Sequence, residues 1–434
     1  MLKKGDKKLI NSWAFYDWAN SVYSLVISTA VFPIYYETVT KTDSGLVTFL
    51  GMQFNNTSLY SYALSFSFLI VAFISPLLSG IADYVGNKKS YMKFFCYLGA
   101  ISVMMLYFFK GIETLWIGIL FSVFASIGFW GSLVFYNAYL PEVAYNDQQD
   151  HVSAKGFIFG YIGSVILLMI NLSMVMKPEF YNITDPNLAP RISFLTVGIW
   201  WIGFAQVTFK NLPANINKQR QKRNYIFKGF LELKKVIIEI KDQPVLLNLL
   251  ASFFLFSVGV QSFILLSTIY GSTELGLTTS NMLIAIIVIQ FLGIFGAYFF
   301  AGLSKKIGNI LTLKITIVIW LLVSLSAYLL EKEDPNVQLK FYIISFFLGL
   351  VLGAIQTLSR STFSKLIPEE SKDHATYFSL FGFTEKIAIV WGTFIFGIAL
   401  ELTESMKLSI LLLSLFFFAS FIVISFMKKT DYVK

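Results

Sequence analysis

Two adjacent ionisable residues, Glu385 and Lys386, lie inside a long apolar segment of the sequence. Glu385 follows His374, near the start of that segment, by about eleven residues, or roughly 16 Å of helix, which reaches the middle of a hydrocarbon core about 30 Å thick. Charges at that depth are costly unless they are paired or hydrated, so both residues are functional candidates. Consecutive helical residues point about 100° apart, so we expect one to face a cavity and the other to contact a neighbouring helix.

A carboxylate at this position could take up and release a proton. Burial favours its neutral form and a nearby cation favours its charged form, so a cation that moves during a transport cycle would switch the carboxylate between them. The alternative is a structural ion pair that is retained for specificity and moves nothing. The sequence leaves both interpretations open.

Polar residues also follow one face of the first apolar segment, at helical steps of three and four. They are Asp17, Asn20 or Ser21, Ser24 and Ser28. A polar stripe on a membrane-spanning helix is expected to face the protein interior. Asp17 lies only about 6 Å along the helix axis from Trp13, where the span is expected to begin, so an interfacial carboxylate without a transport role is the alternative. Asn20 and Tyr23 lie deeper and are expected to contact solute.

Arg360 lies some seven residues before the end of its apolar segment. Its planar guanidinium could hold a carboxylate through two hydrogen bonds, and the alternative is a snorkelling residue that only reinforces orientation. Further polar residues in such segments are candidates for solute contact, although they often only bridge helices. They are Asn137, Gln261, Gln290 and Gln356, with Glu142 near the end of its segment.

The scaffold that positions these residues is predicted to lie in a membrane. Of 434 residues, 56% are hydrophobic and 14% charged, and the mean hydropathy is +0.68, so a water-soluble fold could not bury the apolar surface. At about 20 apolar residues per crossing, twelve spans are predicted. They are 13–36, 59–82, 92–110, 114–140, 154–176, 191–212, 245–270, 279–303, 311–330, 340–366, 375–400 and 407–427.

The apolar pattern is interrupted by a polar and basic segment at residues 213–243. It divides the chain into an N-terminal six-helix bundle (1–212), a linker (213–243) and a C-terminal six-helix bundle (244–434). With the N-terminus in the cytoplasm, 26 Lys and Arg fall on that side, 7 on the other and one within a span, which predicts cytoplasmic termini and a cytoplasmic linker. The linker is interpreted as a topology determinant and tether, and binding of anionic lipid is the alternative.

The two bundles share weak but regularly placed identities. Gly80 and Gly86 recur as Gly302 and Gly308, Phe159-Gly160 recurs as Phe381-Gly382, and Pro141-Glu142 is echoed by Pro368-Glu369. The two glycine pairs and the Phe-Gly pair share an offset of 222 residues (302 minus 80). All four pairs occupy equivalent topological positions. This pattern predicts a duplicated six-helix unit with a central cavity between two parallel halves.

The loop after the second span, Ser79 to Lys89, resembles the signature of the major facilitator superfamily. Its Gly-x-x-x-Asp-x-x-Gly pattern is matched at Asp83 and Gly86 and is followed by Lys88, whereas Tyr84 replaces the usual arginine. The resemblance implies a conformational latch formed by Asp83, Gly86 and Lys88, with Glu142. We expect Asp83 to bond to a neighbouring helix N-terminus or basic side chain in one conformation only, and a polar helix-ending turn is the alternative.

More specific motifs cover nearly the whole chain. They are Tyr16–Ser21, Phe135–Glu142, Lys155–Gly156–Phe157 with Gly160–Gly163, and Gln356–Ser361. These segments resemble the branch of fungal vacuolar amino-acid effluxers and their bacterial relatives. The resemblance implies the major facilitator fold and a solute transporter, with export of amino acids as the specific expectation.

Several classes of function are excluded or disfavoured. A single cysteine, Cys96, excludes an internal disulfide, and together with two histidines it leaves no credible zinc set. The sequence contains neither a phosphate-binding Gly-x-x-x-x-Gly-Lys-Ser/Thr motif nor a Gly-x-Ser-x-Gly elbow. We therefore predict no enzyme, no cofactor and no metal, with energy supplied by a solute or ion gradient.

The combined prediction is an all-α polytopic membrane protein that moves a small solute by alternating access, with protons as coupling ion. Its expected partners are solute, protons and the lipid bilayer, and not nucleic acid, despite a net charge of +9. We expect a monomer in the cytoplasmic membrane. A transporter-shaped receptor or a lipid translocator is the alternative, and the translocator would have an apolar cavity open to the side.

Overall fold

Twelve helices in the described part of the chain are long and apolar enough to cross a membrane. The computed structural model describes residues 2–213, 225–403 and 405–427. Every predicted span overlaps one of these helices, so the number and order of spans are confirmed. Several helices, such as the second, tenth and eleventh, are longer than the predicted spans because helical hydrogen bonding continues through polar residues beyond the apolar core.

The first six spans begin with a composite helix, which is α-helical at Lys7–Val22, π-helical at Tyr23–Val31 and α-helical again at Phe32–Thr40. The second to sixth spans are Asn56–Val85, Lys88–Met105, Leu115–Asn137, Gln149–Met176 and Leu188–Asn211. Single 3₁₀ turns lie at Leu106–Phe108, Ile112–Thr114 and Pro178–Tyr181, and a short helix follows the fourth span at Leu140–Val143. A hairpin of two antiparallel strands, Leu46–Phe49 and Met52–Asn55, joins the first two spans.

The last six spans are Pro244–Ile269, Thr279–Ile307, Asn309–Tyr328, Val337–Leu366, His374–Thr403 and Met406–Ser425. A π-helical turn at Tyr270–Glu274 follows the seventh span, and a linker helix at Tyr225–Lys241 precedes it. We call the end of the bundle that carries the linker helix the linker face, and the opposite end the hairpin face.

The first helix begins earlier than the predicted span, at Lys7 rather than near Trp13. The Asp6 side chain caps the helix by accepting a hydrogen bond from the Lys8 backbone N–H at 2.7 Å. Asp17 lies ten residues after the first helical residue, Lys7, or about 15 Å along the axis. The prediction counted only the apolar run, whereas the capped helix includes the polar residues before it.

The two halves meet along two equivalent seams. The second span packs against the eleventh, and the fifth packs against the eighth. The seams correspond through the internal repeat, since the second and fifth spans of one half have the eighth and eleventh as counterparts. A central cavity lies between the seams, as two parallel six-helix units require.

The linker helix is more than an extended tether. It packs along the second span, where Gly80 and Gly229 touch so closely that a β-carbon on Gly80 would lie 2.2 Å from the Gly229 carbonyl oxygen. Two polar contacts fasten the same helix to the eleventh span, since Lys235 Nζ donates to Asp373 at 2.7 Å and the Tyr377 hydroxyl donates to Glu239 at 2.7 Å. The ammonium group thereby gains a carboxylate partner, which raises the pKa of Lys235.

The repeat supplies a matched test of this close contact. Gly302, the counterpart of Gly80, has no atom within 4 Å of a built β-carbon. Alanine favours a helix over glycine by roughly 0.5–1 kcal/mol, so Gly302→Ala should raise the thermal midpoint slightly. Gly80→Ala should lower it, because overpacking against backbone costs about 1–3 kcal/mol.

Cys96 is fully buried and reports unfolding when it becomes accessible to a thiol-reactive dye during heating. Midpoints that move in the same direction for Gly80→Ala and Gly302→Ala would contradict the packing of the linker helix on the second span.

Candidate functional site

A cavity of about 340 Å³ lies between the two halves. All the predicted solute and coupling residues except Lys386 line it. They are Asp17, Asn20, Tyr23, Asn137, Gln261, Gln356, Arg360 and Glu385, together with Gln290. The spans therefore bring together residues that are up to 368 positions apart in the sequence (385 minus 17).

Arg360 forms the pole of the cavity nearest the linker face. Its Nη1 group donates to Asp17 Oδ2 at 3.2 Å and to Asn137 Oδ1 at 3.3 Å. Its Nε and Nη2 groups donate to the side-chain and backbone oxygens of Ser153 at 2.9 and 2.7 Å. One guanidinium of the tenth span thus binds the first, fourth and fifth spans, and only 3% of the residue is exposed, unlike a snorkelling arginine.

Aromatic rings enclose the same guanidinium. The Arg360 Cζ atom lies 4.0 Å from the ring centroid of Phe157, 5.0 Å from that of Trp13 and 5.5 Å from that of Tyr136. Such contacts stabilise a desolvated cation by up to about 2 kcal/mol. The Tyr136 hydroxyl also donates to Asp17 Oδ2 at 2.8 Å, which fixes the carboxylate against the arginine.

Gly156 makes this arrangement sterically possible. A β-carbon at Gly156 would lie 2.4 Å from Asp17 Oδ2 and 3.0 Å from Arg360 Nη2. The glycine belongs to the Lys155-Gly156-Phe157 motif, which was singled out only by its resemblance. Its role in admitting the ion pair was missed, because sequence alone did not show that these three residues meet.

Glu385 forms the second charged pole. Gln261 Nε2 donates to its Oε1 at 3.2 Å, and Lys386 Nζ donates to its Oε2 at 2.7 Å. The Glu385 side chain is 23% exposed and faces the cavity, whereas that of Lys386 is 3% exposed. Lys386 Nζ lies 3.4 Å from the ring centroid of Trp130 on the fourth span, so the lysine reaches into the other half.

This geometry changes the hypothesis of how the Glu385 carboxylate is switched between its charged and neutral forms. Lys386 follows Glu385 on the same helix, so the cation cannot leave the carboxylate by rigid movement of the halves. The contact that rocking would change is the one between Lys386 and Trp130.

The remaining cavity residues have distinct surroundings. The Tyr161 hydroxyl donates to Gln356 Oε1 at 2.8 Å across the two halves. Tyr23 is largely buried and packs its ring 4.9 Å from that of Phe129. Asn20 Nδ2 is buried without a hydrogen-bond partner among the described residues, so it is an available donor beside the cavity.

The cavity is closed towards the linker face. Asp17 and Arg360 are buried, whereas Ser24 and Thr29 of the π-helical stretch are exposed on the cavity wall. A π-helix has more residues per turn than an α-helix and is frequent at functional sites. The exposed wall shows that this conformation gives access from the hairpin face.

The predicted latch residues lie together at the linker face. Asp83 accepts hydrogen bonds from the backbone N–H groups of Ala375 and Thr376 at 3.2 and 2.7 Å, and from the Thr376 hydroxyl at 2.8 Å. These groups form the start of the eleventh helix, whose unpaired N–H groups favour a carboxylate. The carboxylate therefore joins the second span to the eleventh.

Glu142 extends this latch. It forms an ion pair with Lys88 and approaches His374 Nδ1 at 3.3 Å. Gly86 has a φ of 74°, which allows the tight turn between the second and third spans. Asp83, Gly86, Lys88 and Glu142 thus occupy one site between the two halves.

A second candidate latch was not predicted from the sequence. Asp150, at the start of the fifth span, accepts hydrogen bonds from Ser304 at 2.9 Å, Asn309 at 2.7 Å and Lys365 at 2.6 Å. It joins the fifth span to the eighth, ninth and tenth. In the repeat, Lys305 occupies the position of Asp83, and the missing carboxylate is supplied from the opposite side of the seam. The replacement of the acid by Lys305 was the feature of the sequence that could have indicated this second site.

Removing either latch carboxylate should open the linker face. Charge-assisted hydrogen bonds contribute about 1.5–3 kcal/mol, so Asp83→Asn or Asp150→Asn should raise the open population about tenfold or more. Spin labels at Tyr145→Cys and Glu370→Cys, in a Cys96→Ala background, would measure the separation of the halves by pulsed electron paramagnetic resonance.

Asp147→Asn is the matched control, since Asp147 is exposed near the same seam. An unchanged distance distribution in both latch variants would show that these carboxylates do not hold the linker face closed.

Comparisons with known proteins agree with this architecture. The family model described as "Vacuole effluxer Atg22 like" matches residues 5–431. An uncharacterised MFS-type transporter, YxiO of Bacillus subtilis, is 31% identical over 431 residues, which covers 99% of this chain and 96% of YxiO. Autophagy-related protein 22 of Kluyveromyces lactis is 24% identical, covering 86% and 80% of the two chains.

Solved structures resemble the fold. The major facilitator transporter FucP in its outward conformation aligns with a TM-score of 0.70 at 14% identity and covers 97% of this chain and 98% of FucP. The human organic anion transporter MFSD10 aligns with a TM-score of 0.68 at 10% identity, covering 96% and 98% of the two chains. The predicted fold class is confirmed, and the chain belongs to the Atg22-like family of the major facilitator superfamily, whose members are multi-pass membrane transporters.

Proposed function

We propose that this transporter exchanges protons for a small zwitterionic solute of amino-acid type, and that it exports the solute. The observation that carries the proposal is the pair of charged poles in one central cavity, Arg360 with Asp17 at one and Glu385 with Gln261 at the other. A carboxylate and an ammonium group on one small molecule match these two poles.

The arginine pole links binding to conformational change. A solute carboxylate competes with Asp17 for the guanidinium, since Arg360 already donates to Asp17, Asn137 and Ser153. Loss of the Asp17 contact weakens a bond between the halves and favours opening of the linker face. The solute is therefore loaded in the conformation that is open at the linker face, and when that face closes Asp17 takes the solute's place on the guanidinium, which favours release towards the hairpin face, as export requires.

The glutamate pole links solute movement to protons. Glu385 faces the cavity and can accept either a proton or the ammonium group of a solute, but not both. Competition for one carboxylate produces exchange, because each turnover releases one ligand before the other binds. An inward proton gradient then drives solute outwards.

The distribution of basic residues supports a cytoplasmic linker face, and we place the protein in the cytoplasmic (plasma) membrane. Of the 34 Lys and Arg, 26 lie on that side of the predicted topology. The charged poles also favour a soluble solute over a lipid, whose translocation would require an apolar, laterally open cavity.

The proton step can be measured in liposomes that contain an internal pH dye. Addition of a transported amino acid should move protons through the wild type, and Glu385→Gln should reduce this flux at least tenfold because it removes the proton acceptor. Glu179→Gln, the same change in an exposed loop, should transport normally. Undiminished uphill transport by folded Glu385→Gln under a proton gradient would refute the assignment of Glu385.

The arginine pole should select for a solute carboxylate. We expect the wild type to transport an amino acid with a KM about tenfold or more below that of the corresponding amine, because a charge-assisted hydrogen bond contributes about 1.5–3 kcal/mol. Arg360→Lys, which keeps the charge but loses the planar fork, should narrow this ratio. An unchanged ratio would place the solute carboxylate elsewhere.

A further inference from the structure

The linker helix Tyr225–Lys241 has three faces of different chemistry. At about 100° per residue, Gly229, Val236 and Ile240 share one side, and these residues are buried. This side contains the close contact of Gly229 with the second span. The helix therefore has a fixed orientation relative to the bundle.

A second face is apolar and exposed. Its residues are Ile226, Phe227, Phe230, Leu231, Ile237 and Ile238, of which Phe227 is 62% exposed. Six large apolar side chains on one helix face would be unfavourable in water. Phe73, Ile74 and Leu77 on the second span, to which the helix is fastened, are exposed as well, as expected for a lipid-facing surface. The apolar face is thus continuous with the surface that contacts the bilayer.

Two lysines lie within this apolar face. In a projection down the helix axis with Ile226 at 0°, Lys241 and Lys234 lie at about 60° and 80°. They are flanked by Ile237 near 20° and Phe227 near 100°. Both lysines are exposed, and neither has an ion-pair partner among the described residues. Lysine stems can follow apolar surface while the ammonium group reaches the polar headgroups.

The third face carries charged residues of both signs, unlike the apolar face with its two lysines. Lys228, Glu232, Lys235 and Glu239 lie at about 180–240°, and Lys235 approaches Glu232 at 3.8 Å and Glu239 at 3.7 Å. Lys235, Glu232 and Glu239 neutralise one another or bind the eleventh span. Lys234 and Lys241 are the lysines of the described helix that lie on its apolar face, where a ligand in the membrane can reach them.

We propose that the linker helix lies in the lipid leaflet at the linker face, and that Lys234 and Lys241 bind the headgroups of anionic phospholipids. The apolar face enters the acyl region, and the two ammonium groups lie at the level of the phosphates. Each lysine near an anionic surface favours the charged lipid about fivefold. This site is separate from the central cavity and does not depend on the identity of the solute.

The test uses the full chain with a fluorophore at Ile238→Cys, one turn from both lysines, in a Cys96→Ala background. The protein is reconstituted into phosphatidylcholine vesicles that contain nitroxide-labelled phosphatidylglycerol or, at equal mole fraction, nitroxide-labelled phosphatidylcholine. We expect quenching by labelled phosphatidylglycerol to be at least fivefold stronger. Combined Lys234→Gln and Lys241→Gln should bring this ratio close to one while quenching by labelled phosphatidylcholine persists, which shows that the helix still lies in the leaflet.

Lys228→Gln with Lys305→Gln is the matched control, because it removes two exposed positive charges outside the apolar face. Its quenching ratio should equal that of the wild type. Stronger quenching by aqueous iodide than by either lipid would overturn the leaflet position. Equal quenching by the two lipids in the wild type, an unchanged ratio in the double variant, or loss of the preference on adding inorganic phosphate at constant ionic strength would overturn the lipid site.

Discussion

The guanidinium of Arg360 is a permanent charge in the interior of a membrane protein, and it can remain there only while other groups replace water around it. In this conformation those groups come from three helices of the opposite half, Asp17, Asn137 and Ser153. Closure of the linker face and neutralisation of the arginine are therefore the same event. Opening that face requires a replacement partner, and the carboxylate of the proposed zwitterionic solute is the simplest one.

Each of the two seams between the halves is held by one carboxylate, but the carboxylate lies at a different end of its helix. Both need a carboxylate beside a polar helix end, and each has one, Asp83 on the second span and Asp150 on the fifth. At the first seam the acid ends its helix and meets the start of another, whereas at the second seam the acid starts its helix and meets the end of another. The geometry of the duplicated unit has been retained although the charged residues have been redistributed.

Sequence reasoning identified the twelve spans because apolar runs of sufficient length are decided locally by the bilayer. It also selected Glu385 and Arg360, since an ionisable side chain in an apolar span is costly unless it is paired, hydrated or functional. It missed Gly156 and Asp150, whose importance depends on which residues face them from distant parts of the chain. The linker helix was missed because basic composition was given more weight than the apolar periodicity of Ile226–Ile240. The hairpin was not predicted, since two four-residue strands carry little periodic signal.

The placement of Asp83 and Asp150 also bears on how the halves recognise one another. If two copies of the N-terminal half were to pair as the halves do here, the second span of each would meet the fifth span of the other. Asp83 would then face Asp150 at both seams, with four carboxylates and neither Ser304 nor Lys365 to receive them. Like-charge repulsion would disfavour that homodimer, whereas the arrangement in this chain pairs each acid with a donor. The position of both acids in the N-terminal half thus disfavours pairing of that half with a second copy of itself.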